Sequence, residues 1–318
     1  MAPKTPILSE ENISSVVTEN ELVGVMLDLT PSYFPKDLLE VIAGLTLPYF
    51  KQISAGEHHT CGILTDGKVK CWGINDKHQA DAPKNEVNEK YIQIAAGEDH
   101  TCVLRGDSTI KCWGGGEDNK TKASLLQDKY IQISAGGHHT CGIRVNGSIK
   151  CWLANSYLNV RVPNTYDKYL QVSAGKGINY CGIIADKTVS CWGDWIILYG
   201  INVQEKYFQV STGMYHACGI RLEDRTVRCW GYQEMKYPDD HERYLQISAG
   251  NNHTCGIRED GTARCWGNNT YHQLEVPDVN EHYVQISAGG NHTCGIREDG
   301  IVKCWGNNTY HQLEIPEV

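Results

Sequence analysis

No apolar run in the 318 residues approaches the ~18 needed to cross a bilayer as a helix. Positive charge is scarce, with 29 Lys and Arg against 38 Asp and Glu, so no diffuse basic field gathers phosphates and nucleic acid is disfavoured as a direct ligand. The opening MAPKTPILSEENISSVV shows neither a charged segment before an apolar one nor a small-residue cleavage site, so no secretory leader is expected. No Ser/His/Asp arrangement, phosphate-cradling glycine loop or pair of catalytic carboxylates stands out. The expectation is a non-enzyme without cofactor or metal. Cysteine is the exception to this scarcity: fourteen in a chain with no export signal sit awkwardly with a reducing compartment.

The cysteines belong to a repeat. YLQISAGNNHTCGIREDGTARCWGNN recurs in recognisable form seven times, opening at Phe50, Tyr91, Tyr130, Tyr169, Tyr207, Tyr244 and Tyr283 in steps of 37 to 41 residues. Residues 253–277 and 292–316 differ at four positions, which points to recent copying of one unit. Within each unit the signals are β: an alternating YLQISAG stretch, then two short turn-bounded runs around a hairpin tip. Five tips carry Asp or Asn before Gly or Ser, pairs that tolerate the positive φ of a short loop (Asp66-Gly67, Asp107-Ser108, Asn146-Gly147, Asp260-Gly261 and Asp299-Gly300). Three strands per unit are well marked and a fourth, after the Trp, is weakly marked. The fold class is therefore all-β, a seven-bladed β-propeller over residues 49–318, closing more naturally than an open solenoid. Residues 1–48 form a separate arm, with apolar residues at helical spacing (Leu38, Leu39, Val41, Ile42, Leu45) that predict a short helix.

The cysteines fall into seven pairs: Cys61 with Cys71, Cys102 with Cys112, Cys141 with Cys151, Cys181 with Cys191, Cys218 with Cys229, Cys255 with Cys265 and Cys294 with Cys304. If Glu259-Asp260-Gly261 caps its hairpin, Cys255 and Cys265 face each other across two strands, at the short end of disulfide geometry. Oxidation of all seven pairs is the favoured reading, and small buried thiols in a reduced protein the alternative. Parity puts Cys255, Ile257, Ala263 and Cys265 on one side of the hairpin, and Gly256, Arg258, Arg264 and Trp266 on the other. Each disulfide side should then abut the Trp side of the next blade, with the Gly after the first Cys making room for the indole.

Other residues recur with the unit. A His two residues before the first Cys (Asn179 in unit four) is expected to hydrogen-bond backbone at an inter-strand corner, a zinc site being the minor alternative. The Gln of each Tyr-x-Gln is expected to build a ladder around a central tunnel. Arg and Lys flanking the tips read as a self-neutralising rim rather than a phosphate band. Unit four departs from the polar pattern after its Trp, and Trp195, Ile196, Ile197, Leu198 and Tyr199 form a candidate partner-binding patch. Asn-x-Ser/Thr sequons at Asn12, Asn119, Asn146, Asn252, Asn268, Asn291 and Asn307 add weak support for an exposed, glycosylated surface.

The pattern S-A-G-x-x-H-T…D-G…W-G-x-N…H-Q-L, fullest at Gly267-Asn268-Asn269-Thr270-Tyr271-His272-Gln273-Leu274, resembles the repeats of the regulator of chromosome condensation family over residues 50 to 318. The resemblance implies a seven-bladed propeller that binds proteins or promotes nucleotide exchange on a small GTPase through an inserted wedge. The units here are shorter than that family's usual blades and hold no insertion of wedge size. Blades with paired cysteines are similar to plant receptor-kinase ectodomains and to propellers of mimivirus-like giant viruses. From this follow three expectations of function. The first is a disulfide-reinforced structural or interaction scaffold, self-assembling or protein-binding, in a virion or at an extracellular surface. The second is an adaptor or regulator of a GTPase or of chromatin in the cytoplasm or nucleus, and the third a glycan-binding lectin.

Overall fold

A computed structural model describes residues 48–83, 89–115, 128–153, 167–193, 198, 200–202, 204–231, 238 and 241–317. The helical arm expected over residues 1–48 lies outside them, apart from Pro48. The described chain forms seven antiparallel three-stranded sheets, each continuous in sequence. In the first, the inner strand Phe50–Ala55 pairs with the middle strand His59–Leu64, which pairs with the outer strand Val69–Gly73. Six further inner strands begin at Tyr91, Tyr130, Tyr169, Tyr207, Tyr244 and Tyr283. The weakly marked fourth strand is absent from the described residues: after blades one, six and seven the chain instead makes compact turns through Gln79, Gln273 and Gln312.

The outer hairpins follow the predicted register. Cys255 pairs with Cys265 and Ile257 with Ala263, while Gly261 N–H donates to Arg258 C=O under a three-residue tip. Gly261 has φ +84°, and its neighbour Asp260 accepts from the Thr262 N–H through Oδ1 at 2.9 Å. The extra residue of blade five is absorbed in the tip by Arg225 at φ +63°.

Every blade carries its disulfide. Cys61 is bonded to Cys71, Cys102 to Cys112, Cys141 to Cys151 and Cys181 to Cys191. Cys218 is bonded to Cys229, Cys255 to Cys265 and Cys294 to Cys304. No cysteine is free. The paired Cα atoms are 3.9–4.1 Å apart, somewhat closer than the ~4.5 Å of an ordinary non-hydrogen-bonded pair. The alternative of small buried thiols accounts for only half of each pair, because the two cysteines are not equally buried. The middle-strand partner is fully enclosed in every blade, whereas Cys71, Cys151, Cys191, Cys229, Cys265 and Cys304 on the outer strands are only partly buried. Cys112 is the one outer-strand cysteine that counts as buried. Burial of hydrophobes therefore accounts for the first cysteine of each pair, and the bond accounts for the second.

Blades pack as parity requires. Cys218, Ile220 and Val227 of blade five lie against Tyr244, Ile247 and Trp266 of blade six, and the same seam recurs around the ring. It closes between Cys294, Ile296 and Val302 of blade seven and Phe50, Ile53 and Trp72 of blade one. The glycine after the first Cys serves a neighbour other than the one expected. A Cβ on Gly256 would sit 2.6 Å from the Tyr244 ring of its own blade, so the space belongs chiefly to the inner-strand aromatic.

The glycine of S-A-G has a second, stricter cause. A Cβ on Gly250 would lie 2.2 Å from the Gly289 carbonyl oxygen of the next blade, and one on Gly289 2.3 Å from that of Gly56. The contact recurs through Gly97, Gly136, Gly175 and Gly213, completing a ring around the axis. Seven backbones crowd together there, and no side chain fits between them.

Candidate interaction surfaces

The recurrent His lies in the seams between blades. His59 Nε2 shares a 2.8 Å hydrogen bond with Thr101 Oγ1 of the next blade, His253 does so with Thr293 at 2.9 Å, and His292 closes the ring onto Thr60 at 2.8 Å. The expected backbone partner is thus replaced by a threonine hydroxyl one blade on. Burial drives the pKa of His59, His139 and His253 down to about 3 and that of His216 to about 4. Two departures from the repeat explain each other. Blade five has Ala217 in place of Thr, and the preceding blade offers Asn179, whose Nδ2 donates to Met214 C=O instead. With the sulfurs bonded in pairs, the zinc alternative loses its thiolates, and no His/Cys/Asp/Glu cluster suited to a metal occurs among the described residues.

Around the axis the glutamines form the expected ladder. Gln52 Oε1 accepts from Ile94 N–H of the next blade at 3.0 Å, Gln93 from Ile133 at 2.8 Å, and Gln285 from Ile53 at 2.9 Å across the closure. Gln93 Nε2 donates in return to Ile133 C=O at 3.0 Å. Below the glutamine of every blade but the second, which has Ala95, a serine hydroxyl accepts from the next blade, as Ser287 Oγ does from Ala55 N–H at 2.9 Å. These side chains line a narrow central channel, and all seven glutamine oxygens are committed to the neighbouring blade. At the S-A-G end the residues after glycine converge. Lys176 Nζ stands 3.7 Å from Glu57, which also accepts from Asn251 Nδ2 at 2.7 Å. Burial lowers the Lys176 pKa, while Glu57 and Glu98 raise it.

The rim neutralises itself, as read from the sequence. In every Tyr-led blade but the fourth, which has Ile184 and Ser190 at the cation positions, the acid two residues before the inner-strand Tyr does this: Glu89 meets Arg105 at 3.0 Å and Lys111 at 3.6 Å, and Asp128 meets Arg144 at 3.2 Å and Lys150 at 2.9 Å. Glu242 holds Arg258 and Arg264 in the same way and accepts the Tyr244 hydroxyl at 2.6 Å. The tryptophans are packing residues. The indole N–H of Trp72, Trp113 and Trp305 donates to the C=O of Gln312, Gln79 and Gln273, so the turn after one blade caps the indole of the next. Sequon residues Asn146, Asn268 and Asn307 use Oδ1 to fasten their own turns. Of the candidate patch in unit four, Trp195, Ile196, Ile197 and Tyr199 fall outside the described residues, and Leu198 is 46% exposed.

One surface escaped the sequence reading. The residue between Tyr and Gln at the start of the inner strand is a large apolar side chain in blades two to seven: Ile92, Ile131, Leu170, Phe208, Leu245 and Val284, each 47–59% exposed. A register shift at that point, recorded between Tyr244 and Gln246 in blade six, turns the residue out of the seam. Leu245 and Val284 share a surface depression with the tip residues Glu259, Asp260, Gly261 and Glu298, and Leu170, Phe208 and Leu245 share another. The six residues therefore crown the face that carries the hairpin tips, opposite the Lys176 end. The signal was legible in Tyr-x-Gln, but a single apolar residue per forty is unremarkable until the ring assembles them.

Fold and seams together define the molecule as a closed seven-bladed propeller of short three-stranded blades, each pinned by its own disulfide. The model of the regulator of chromosome condensation (RCC1) repeat matches five of its units, at residues 50–79, 91–119, 130–156, 245–273 and 283–312. Blades four and five, which carry the Asn179 and Ala217 departures, lie outside those matches. Over 42 residues, 13% of this chain and 8% of the relative, the sequence is 45% identical to protein pim1 of Schizosaccharomyces pombe. The crinkly ectodomain of the Arabidopsis thaliana receptor kinase ACR4 is similar in structure, with TM-score 0.68 and 26% identity over 84% of this chain and 99% of that one. The ectodomain of the Physcomitrella patens receptor kinase CR4 has TM-score 0.67 and 23% identity over 82% of this chain and 74% of that one. Prp20p of Saccharomyces cerevisiae, a protein with binding properties toward Gsp1p and histones, shares the fold at TM-score 0.63 and 14% identity, covering 83% and 84%. An RCC1-like, disulfide-pinned propeller fits a non-enzymatic interaction scaffold.

Proposed function

We propose that the protein is a hardened scaffold, performing no catalysis, that presents its propeller faces to other macromolecules in an oxidising setting, as a virion component or at an extracellular surface. The observation that carries this reading is the pairing of all fourteen cysteines, each within its own blade. Each bridge closes about ten residues and contributes roughly 2–3 kcal/mol. Cytosolic glutathione would hold such thiols reduced, so a chain that invests in seven bridges works where they persist. The test is intact mass and thiol titration of protein from its natural source, without reductant, followed by limited proteolysis before and after reduction. No titratable thiols and protease resistance lost on reduction are expected; fourteen free thiols in the native protein would overturn the reading.

The RCC1 repeats favour a second reading, an intracellular regulator that binds a small GTPase or chromatin. Accelerated release of nucleotide from a GTPase by the reduced protein would favour it over the scaffold. Glycan recognition, resting on repeated loops alone, is tested by binding to a glycan array.

A further inference from the structure

The apolar crown has no role in the propeller's own packing. Behind it each seam is complete, with Tyr244, Ile247 and Trp266 already buried against blade five, and Ile92, Ile131, Leu170, Leu245 and Val284 stay about half exposed, as does Phe208 with the Arg225 guanidinium 4.1 Å over its ring. At roughly 80 Å2 of exposed area apiece they present about 500 Å2, the size of patch that marks an interaction site. Two such patches face to face bury about 1,000 Å2, which reaches the lower bound of a specific interface before any tip residue is counted.

The charges around the crown select the occupant. On blades two to four the exposed residues of this face are Lys90, Lys129, Lys168 and Lys187 against Asp107 and Asp186, a net charge of +2. On blades six and seven, leaving His282 aside, they are Arg243 against Glu259, Asp260, Glu298 and Asp299, a net charge of −3. In a ring of seven, the centre of the first arc is blade three and the centre of the second falls between blades six and seven, diametrically opposite. The face is thus apolar at its centre and dipolar across its width. A partner or membrane of one charge sign gains on one arc and is repelled by the other.

We propose that this face binds a second copy of the chain, head to head, about a two-fold axis lying in the plane of the face and perpendicular to the line joining the two arcs. That rotation lays crown on crown and sets the basic arc of each copy over the acidic arc of the other, as a self-complementary two-fold interface requires. The inference rests on the reading of the propeller as an interaction scaffold and adds its partner.

The experiment is sedimentation velocity of the oxidised full chain from about 1 to 100 μM, the range in which an interface of this size associates. A monomer–dimer equilibrium is expected, weakened at least tenfold by Phe208→Glu with Leu245→Glu, exposed sites whose variants should keep the parent melting temperature. Two charge-reversed variants follow, one with Glu259→Lys and Glu298→Lys, the other with Lys129→Glu and Lys168→Glu. Each should be monomeric alone, because both its arcs then carry one sign, and an equimolar mixture should form a heterodimer. A wild-type chain that stays monomeric throughout, or a mixture that does not associate, overturns the proposal. So does binding of the monomer to phosphatidylserine vesicles that Phe208→Glu abolishes, which would put a lipid surface on the crown. A monomer that retains its seven bridges and reductant-sensitive protease resistance refutes the dimer alone and leaves the scaffold intact.

Discussion

Removing one bridge cleanly, by Cys255→Ala with Cys265→Ala, isolates what a disulfide contributes here. The pair is separated by ten residues, and closing a loop of that length removes about 2.7 kcal/mol of chain entropy from the unfolded state. Cys255 is fully buried in the seam with Tyr283, Ile286 and Trp305, so loss of the sulfurs adds a packing deficit of about 1 kcal/mol. The double variant should therefore be about 3.5 kcal/mol less stable than the parent. For a cooperative unit of this size that corresponds to a melting temperature lower by roughly 7–14 °C. Scanning calorimetry of both proteins without reductant measures the difference. Repeating the scans in excess reductant separates its two parts, because the parent then also lacks the tether. The deficit should shrink to the packing part of about 1 kcal/mol. A deficit of the same size in both buffers would show that the tether contributes nothing and would refute the reasoning.

Acid should loosen the whole ring. His59, His139, His216 and His253 are held neutral by burial with pKa values of about 3 to 4, and His292 is likewise lowered. Released in the unfolded chain they titrate near 6.5, so the unfolded state binds more protons below that pH. Their stabilisation is complete above pH 6.5 and is lost as the pH falls toward 3, by about 2 kcal/mol per imidazole at pH 5; urea unfolding at pH 7.5 and pH 5 should show midpoints falling with pH. Gly250→Ala places a methyl group 2.2 Å from the Gly289 carbonyl oxygen, and should cost about 3 kcal/mol or block folding, as read by denaturant titration. Glu57→Gln leaves Lys176 buried with Glu98 as its remaining acid, and a loss of about 3 kcal/mol in the same assay is expected.

Much of this architecture was written along the chain. A period near forty, the Asp-Gly tips and the cysteine spacing determine the number of blades, the hairpin register and the facing of Cys255 on Cys265, because strand parity and turn length are local properties. The alternation of disulfide seam and Trp seam follows from the same parity once the ring is assumed closed. Three things were decided only by the assembled ring. The His partner is a threonine about forty residues away, across a blade boundary that no local pattern crosses. The S-A-G glycine is required by a carbonyl of the neighbouring blade, a steric condition that exists only at the axis. The apolar crown gathers one residue from each of six repeats onto one face, with cations on one arc and acids on the other. Spacing along a chain carries no angle, and only closure turns scattered positions into a surface.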